Sequence, residues 1–156
     1  MPERDGRFGA DLRLLENLDR QSDRERGADL RTVTRPGTRG TDLAVVEGAA
    51  NLEQALLLRF LTAVGELAPL GHASYGSELG TLVGELNNET NRNRAKMFVL
   101  QALAEEPRVR EVRSISVTAS RVDRTRVDIS VSLLAIDSDT VLNLVFPFFL
   151  EGGAPV

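Results

Sequence analysis

The sequence contains no cysteine and no tryptophan, and only one histidine and one tyrosine. Without cysteine there are no disulfides, no zinc-thiolate sites and no thiol catalysis. Ser-His-Asp chemistry would have to pass through His72 alone. That residue lies in Leu70-Gly71-His72-Ala73-Ser74-Tyr75, which reads as a loop with a structural histidine. The scarcity of aromatic rings (4% of residues) speaks against sugar or single-stranded nucleic-acid sites built on stacking. Lysine occurs once, against eighteen arginines. No apolar run approaches the roughly 18 residues that span a bilayer. The charged start, Met1-Pro2-Glu3-Arg4-Asp5, does not read as a secretory signal.

What is present is an ordinary globular composition in 156 residues, 42% hydrophobic and 27% charged. That length holds one core, with room for an arm. The net charge of −4 is unevenly spread. Residues 92–126 carry nine basic and four acidic side chains, whereas 127–156 carry four acidic and no basic ones. The basic block raises a nucleic-acid reading, with steeply salt-dependent binding, against the overall acidity and the missing stacking residues. A solvated helix and sheet face is the plainer account.

Residues 1–42 read as an extended arm. They are polar, broken by Arg35-Pro36-Gly37-Thr38, and too poor in apolar residues to offset their ordering entropy. Leu12, Leu15 and Leu18 share one side of a short helix at best. The domain proper is expected over 43–150, with a tail at 151–156. Leu43 to Val46 suggests a short strand. Three helices should follow. The first starts at Asn51, with Gln54 completing a variant of the capping box. The second starts at Ser77 and runs through Leu86, with Leu79, Leu82, Val83 and Leu86 as its apolar set. The third starts near Thr90 and buries Ala95, Phe98, Val99, Ala102 and Leu103 before Pro107 stops it.

After Pro107 the period changes to two. Ile115, Val117 and Ala119, then Val127, Ile129, Val131 and Leu133, mark two strands joined by a charged hairpin near Asp123-Arg124-Thr125. A third strand from Thr140 carries Leu142, Leu144, Phe146, Phe148 and Leu150 on one face. Pro147 puts it at a sheet edge or in a bulge. The fold class is therefore α+β: three helices on one face of a small antiparallel sheet of about three strands, with an N-terminal arm.

Candidate chemistry is sparse. Asp137-Ser138-Asp139 is a lone acidic turn and not a metal loop. Gly76-Ser77-Glu78-Leu79-Gly80 lacks the lysine of a phosphate loop. Glu66, Glu78, Glu85, Glu105 and Glu106 supply carboxylates, but no spacing selects the pair that a glycosidase needs. No cofactor or metal is expected. Glu105-Glu106-Pro107-Arg108 is a helix-to-strand corner whose Glu106 and Arg108 can pair or clamp another chain. The last strand, through Val141, Asn143 and Val145, reads either as an ordinary edge strand protected by Pro147, the plainer account, or as a platform for strand addition.

Four segments in order carry a resemblance: Asn51-Leu52-Glu53-Gln54-Ala55, then Leu61-Thr62-Ala63-Val64-Gly65-Glu66-Leu67, then Tyr75-Gly76-Ser77-Glu78-Leu79, then Glu106-Pro107-Arg108-Val109. Over about residues 40–150 the chain resembles the gene-25-like baseplate wedge family of contractile phage tails, type VI secretion baseplates and phage-tail-like injection systems. The resemblance implies a non-enzymatic assembly protein, made in the cytoplasm and then built into a baseplate in six copies. It would bind wedge core proteins, lie near hub or spike proteins, and present a sheath-like sheet on which the first sheath ring forms by strand exchange. It implies no nucleic-acid partner and no membrane span. It assigns Glu106, Pro107 and Arg108 to partner contacts. The family's old lysozyme-like label leaves a peptidoglycan hydrolase as the alternative.

Overall fold

The computed structural model describes residues 8–14 and 30–150. They fall into two compact units, one up to Gln54 and one from Ala55 onward, and helix α1 runs through the boundary.

Among its described residues the first unit holds four strands of three residues. β1 (Ala10–Leu12) pairs antiparallel with β4 (Val45–Glu47), and β2 (Thr32–Thr34) with β3 (Thr41–Leu43). The single strand expected over Leu43 to Val46 is thus broken at Ala44, whose N–H and carbonyl bond to Arg31 and Arg13 instead. Leu12 lies in a strand and not a helix, and Leu15 and Leu18 lie outside the described residues. These strands are nearly all exposed, so pairing and not burial gives them their form.

Helix α1 (Gly48–Leu61) starts three residues earlier than the capping pattern suggests, after Gly48 turns the chain at φ 64°. Asn51 and Gln54 are therefore not caps. Both are buried. Asn51 Nδ2 donates to the Phe8 carbonyl (2.8 Å). Gln54 Nε2 donates to the Leu12 carbonyl, and its Oε1 accepts from the Leu14 N–H, each at 2.8 Å. Two amide side chains thus satisfy main-chain groups that β4 leaves unpaired. Gln54→Leu leaves one donor and one acceptor without partners and is expected to lower stability by about 2 kcal/mol. Chemical denaturation of the variant reads this directly.

The second unit is built on a three-stranded antiparallel sheet, in order β5 (Val109–Ala119), β6 (Arg126–Ala135), β7 (Val141–Phe149). Its inner face carries Ile115, Val127, Ile129, Val131, Leu133, Leu144, Phe146 and Phe148, all buried. Helix α2 (Glu89–Ala104) lies against it with the expected stripe Ala95, Phe98, Val99, Ala102 and Leu103. Asn88 caps α2 by accepting from the Asn91 N–H (2.8 Å). Phe60, near the end of α1, stacks on Phe146 of β7 with ring centroids 5.2 Å apart. The expected middle helix is absent. Only Leu79–Leu82 forms a 3₁₀ turn, because Gly84 takes φ 95° and turns the chain away. The described fold is therefore α+β with two α-helices. Leu79 and Leu82 are buried as expected, but Val83 and Leu86 are exposed.

Candidate functional site

Arg59 sits on α1 seven residues after Leu52 and three after Leu56, both fully buried. That spacing drives its guanidinium into the core side of the helix, where a charge needs a partner. The partner is Glu106, 47 residues on, where Pro107 ends the turn after α2. Glu106 Oε2 accepts from Arg59 Nη2 (3.2 Å), and Oε1 accepts from Arg108 Nε (2.7 Å) and, at 3.3 Å, from the Arg108 N–H. The Glu106 side chain is 4% exposed, Arg59's is 9% and Arg108's 30%. Burial works to raise the Glu106 carboxyl, but the Arg108 hydrogen bonds and the two guanidinium charges outweigh it and hold the group below the usual carboxylate range.

The Tyr75 ring packs against this pair, with the Arg59 guanidinium carbon 4.5 Å from its centroid. Arg59 Nε is buried with no hydrogen-bond partner among the described residues. Burial pushes the Tyr75 hydroxyl up. Ser77 closes the end of α1: its Oγ donates to the Phe60 carbonyl (2.8 Å) and accepts from the Leu79 N–H (3.2 Å). The Ser77 N–H donates to the Thr62 carbonyl (2.8 Å). Glu66 reaches back to accept from the Ala63 N–H (3.1 Å). Segments 61–67, 75–79 and 106–109 therefore converge on the last turn of α1. They are parts of one brace that carries Arg108 and the exposed Pro107 at its surface.

The second feature is the edge strand. β5 and β7 both border the sheet. β5 is guarded by two register shifts and by Arg110, Glu111 and Arg113. β7 carries no charge from Val141 to Phe149. The Leu150 N–H donates toward β6, to the Thr125 carbonyl (2.8 Å). Main-chain direction alternates along a strand, so Val141, Asn143 and Val145 turn their N–H and C=O groups to the open edge. Pro147 shares that parity, and its missing N–H falls where no ladder bond is lost. Val141 and Val145 are 45% and 66% exposed.

The corner and the edge share one end of the sheet. Val109 pairs with Ala135, and Val141 with Leu134 of the same strand. Two strand spacings, about 10 Å, separate β5 from β7. The structure thus gathers Glu106, Pro107 and Arg108 at one corner and sets Val141, Asn143 and Val145 along the neighbouring edge. Sequence reasoning missed Arg59. Its signal was a lone arginine in the apolar stripe of α1.

Comparison with known families matches residues 25–137 to the contractile injection system sheath initiators, a span well over half of the chain. The chain belongs to this family. It is accordingly a baseplate component of a contractile injection system, in a structural role that nucleates the sheath. Comparison with curated proteins returns no match. Among solved structures, a Geobacter sulfurreducens chain with the provisional description of tail lysozyme is 25% identical. The match covers 67% of the initiator and 92% of that chain, with a TM-score of 0.57. The four segments that suggested the gene-25-like family thus find that family, and three of them form the initiator's central brace.

Proposed function

We propose that this sheath initiator is a wedge subunit, present in six copies per baseplate, that grips the wedge core and offers its β7 edge to incoming sheath strands. The observation that carries this reading is the contrast between the two sheet edges. An exposed, uncharged edge invites pairing, and natural proteins normally blunt it. Here β5 is blunted and β7 is open, with Asn143 held by the Ser132 hydroxyl on its outward face. Main-chain bonds to a sheath strand would supply affinity, and Val141 and Val145 would supply register.

Arg108 supplies the corner's contact to a wedge or sheath partner. Glu106 works inward: it orients Arg108 and neutralises Arg59. Assembly would take place in the cytoplasm, before the particle is complete, with hub or spike proteins close by.

Val145→Pro tests the edge. Proline at this parity leaves the β6 pairing intact, as Pro147 does, but removes a donor from the open side. A folded monomer that no longer seeds sheath is expected, scored as baseplates without sheath in negative-stain images. Full-length sheath on Val145→Pro baseplates would refute strand addition at β7.

Hydrolysis gains no support from the carboxylates. A glycosidase acid must hold its proton near neutral pH, so its pKa has to be raised. The buried Glu106 is shifted the other way and is occupied by two arginines. Zymography of the purified chain is expected to show no clearing.

A further inference from the structure

β7 opens on a palindrome. Val141-Leu142-Asn143-Leu144-Val145 reads the same in both directions, and its central residue is one of those that turn N–H and C=O to the open edge. Such a strand is complementary to itself. Antiparallel pairing reverses one strand against the other, so a two-fold axis at Asn143 sets each residue opposite its own kind: valine on valine, leucine on leucine, asparagine on asparagine. The bonding balances too. Val141, Asn143 and Val145 of each copy would each donate one main-chain bond and accept one. Pro147, which has no N–H to give, falls just past the paired stretch. An axis moved one or two residues toward Phe149 puts Pro147 into the ladder, opposite a carbonyl it cannot serve. An axis moved the other way runs the pairing off the start of the strand.

The side chains agree with this register. Val141 and Val145, both exposed, would cover one another across the axis on the outer face. Asn143 sits between them. Its Oδ1 accepts from the Ser132 hydroxyl, which leaves Nδ2 to donate to the amide of its counterpart. On the inner face Leu142 would meet Leu144 of the second copy and carry the apolar layer across the axis. No charge lies between Val141 and Phe149, so the pairing brings no like charges together within the strand.

We infer that two copies of the free chain pair through β7 about a two-fold axis at Asn143, joining their sheets into one. The contact is isologous and short, which makes the dimer weak and reversible. β5, the other edge, is blunted by its register shifts and charges, so pairing closes at two copies and does not run on into a fibre. The dimer covers the same edge that is offered above to sheath strands, so the two occupants exclude each other. It is a property of the free chain and does not depend on that reading.

The chain has no cysteine, so single-cysteine variants of the purified full chain test both the contact and its register. Asn143→Cys sets two thiols directly opposite, with Cα atoms about 5.5 Å apart and within reach of a disulfide. Val141→Cys or Val145→Cys alone leaves like thiols roughly 13 Å apart along the strands. Mixing those two variants brings unlike ones face to face. All three sites are exposed, and circular dichroism melts check that the variants fold. Under mild oxidation, Asn143→Cys is expected to form covalent dimers on the order of tenfold faster than Val122→Cys, because pairing concentrates its thiols. Val122 is 98% exposed and lies off the edge, so it measures random collision. The mixture of Val141→Cys and Val145→Cys should cross-link, and neither should alone. Sedimentation equilibrium of the wild-type chain should show monomer giving way to dimer as concentration rises. A monomer at every concentration, an Asn143→Cys rate no higher than that of Val122→Cys, or equal cross-linking by Val141→Cys alone would overturn the inference.

Discussion

Glu106→Ala is expected to destabilise the folded chain by about 3–5 kcal/mol, the cost of leaving a buried charge without its counter-ion. Arg59 would bear it, because its side chain is 9% exposed and its one ion-pair partner among the described residues is Glu106. Arg108, 30% exposed, can turn toward water and loses less. A loss of that size removes a large part of a typical 5–15 kcal/mol stability. The variant is therefore a poor probe of assembly, whereas Arg108→Ala removes the proposed partner contact and leaves the Arg59–Glu106 pair in place. Urea unfolding checks the difference. An equal, small loss in both variants would show that the buried pair contributes little.

The same carboxylate gives the chain an acid limb. Its folded-state pKa lies below the ordinary 4.5, so its stabilisation is complete at neutral pH and fades as pH falls through the folded-state value. Glu106→Gln has no such proton to gain. The stability gap between wild type and Glu106→Gln should be wide at pH 7 and close in strong acid. A gap independent of pH would mean that Glu106 acts by shape and not by charge.

The parts of the fold that the sequence announced are those whose partners lie on one repeating face. The α2 stripe and the alternation of Val127, Ile129, Val131 and Leu133 read correctly because each residue meets the same layer. Pro147 announced the edge because a missing N–H can face only one way. What stayed hidden was non-local or conformational. β1, β2 and β3 are three residues long and almost wholly exposed, so no alternation betrays them. Leu79, Leu82, Val83 and Leu86 keep helical spacing, but the chain between them passes through Gly84 in the left-handed region. The link from Arg59 to Glu106 spans 47 residues, and neither residue names the other. The segments of the family resemblance could be quoted from the sequence, but that three of them form one brace was visible only in space.

Gly76→Ala is expected to break that brace, and the geometry says why. Gly76 has φ 119°, a conformation L side chains rarely adopt. A Cβ there would lie 2.5 Å from the Thr62 carbonyl oxygen and 2.9 Å from the Ala63 carbonyl carbon. Both are backbone atoms at the end of α1, so no side chain can rotate out of the way. The segment must move, and with it go the Ser77 N–H bond to Thr62, the Ser77 hydroxyl bond to Phe60 and the Tyr75 ring over Arg59. Strain and lost bonds together should cost about 3 kcal/mol or more. In a chain of this size, that lowers Tm by roughly 6–12 °C. Circular dichroism melts of the purified variant measure it. A Tm within two or three degrees of wild type would mean that the 61–67 and 75–79 segments are not locked together as described, and that Arg59 is held by Glu106 alone.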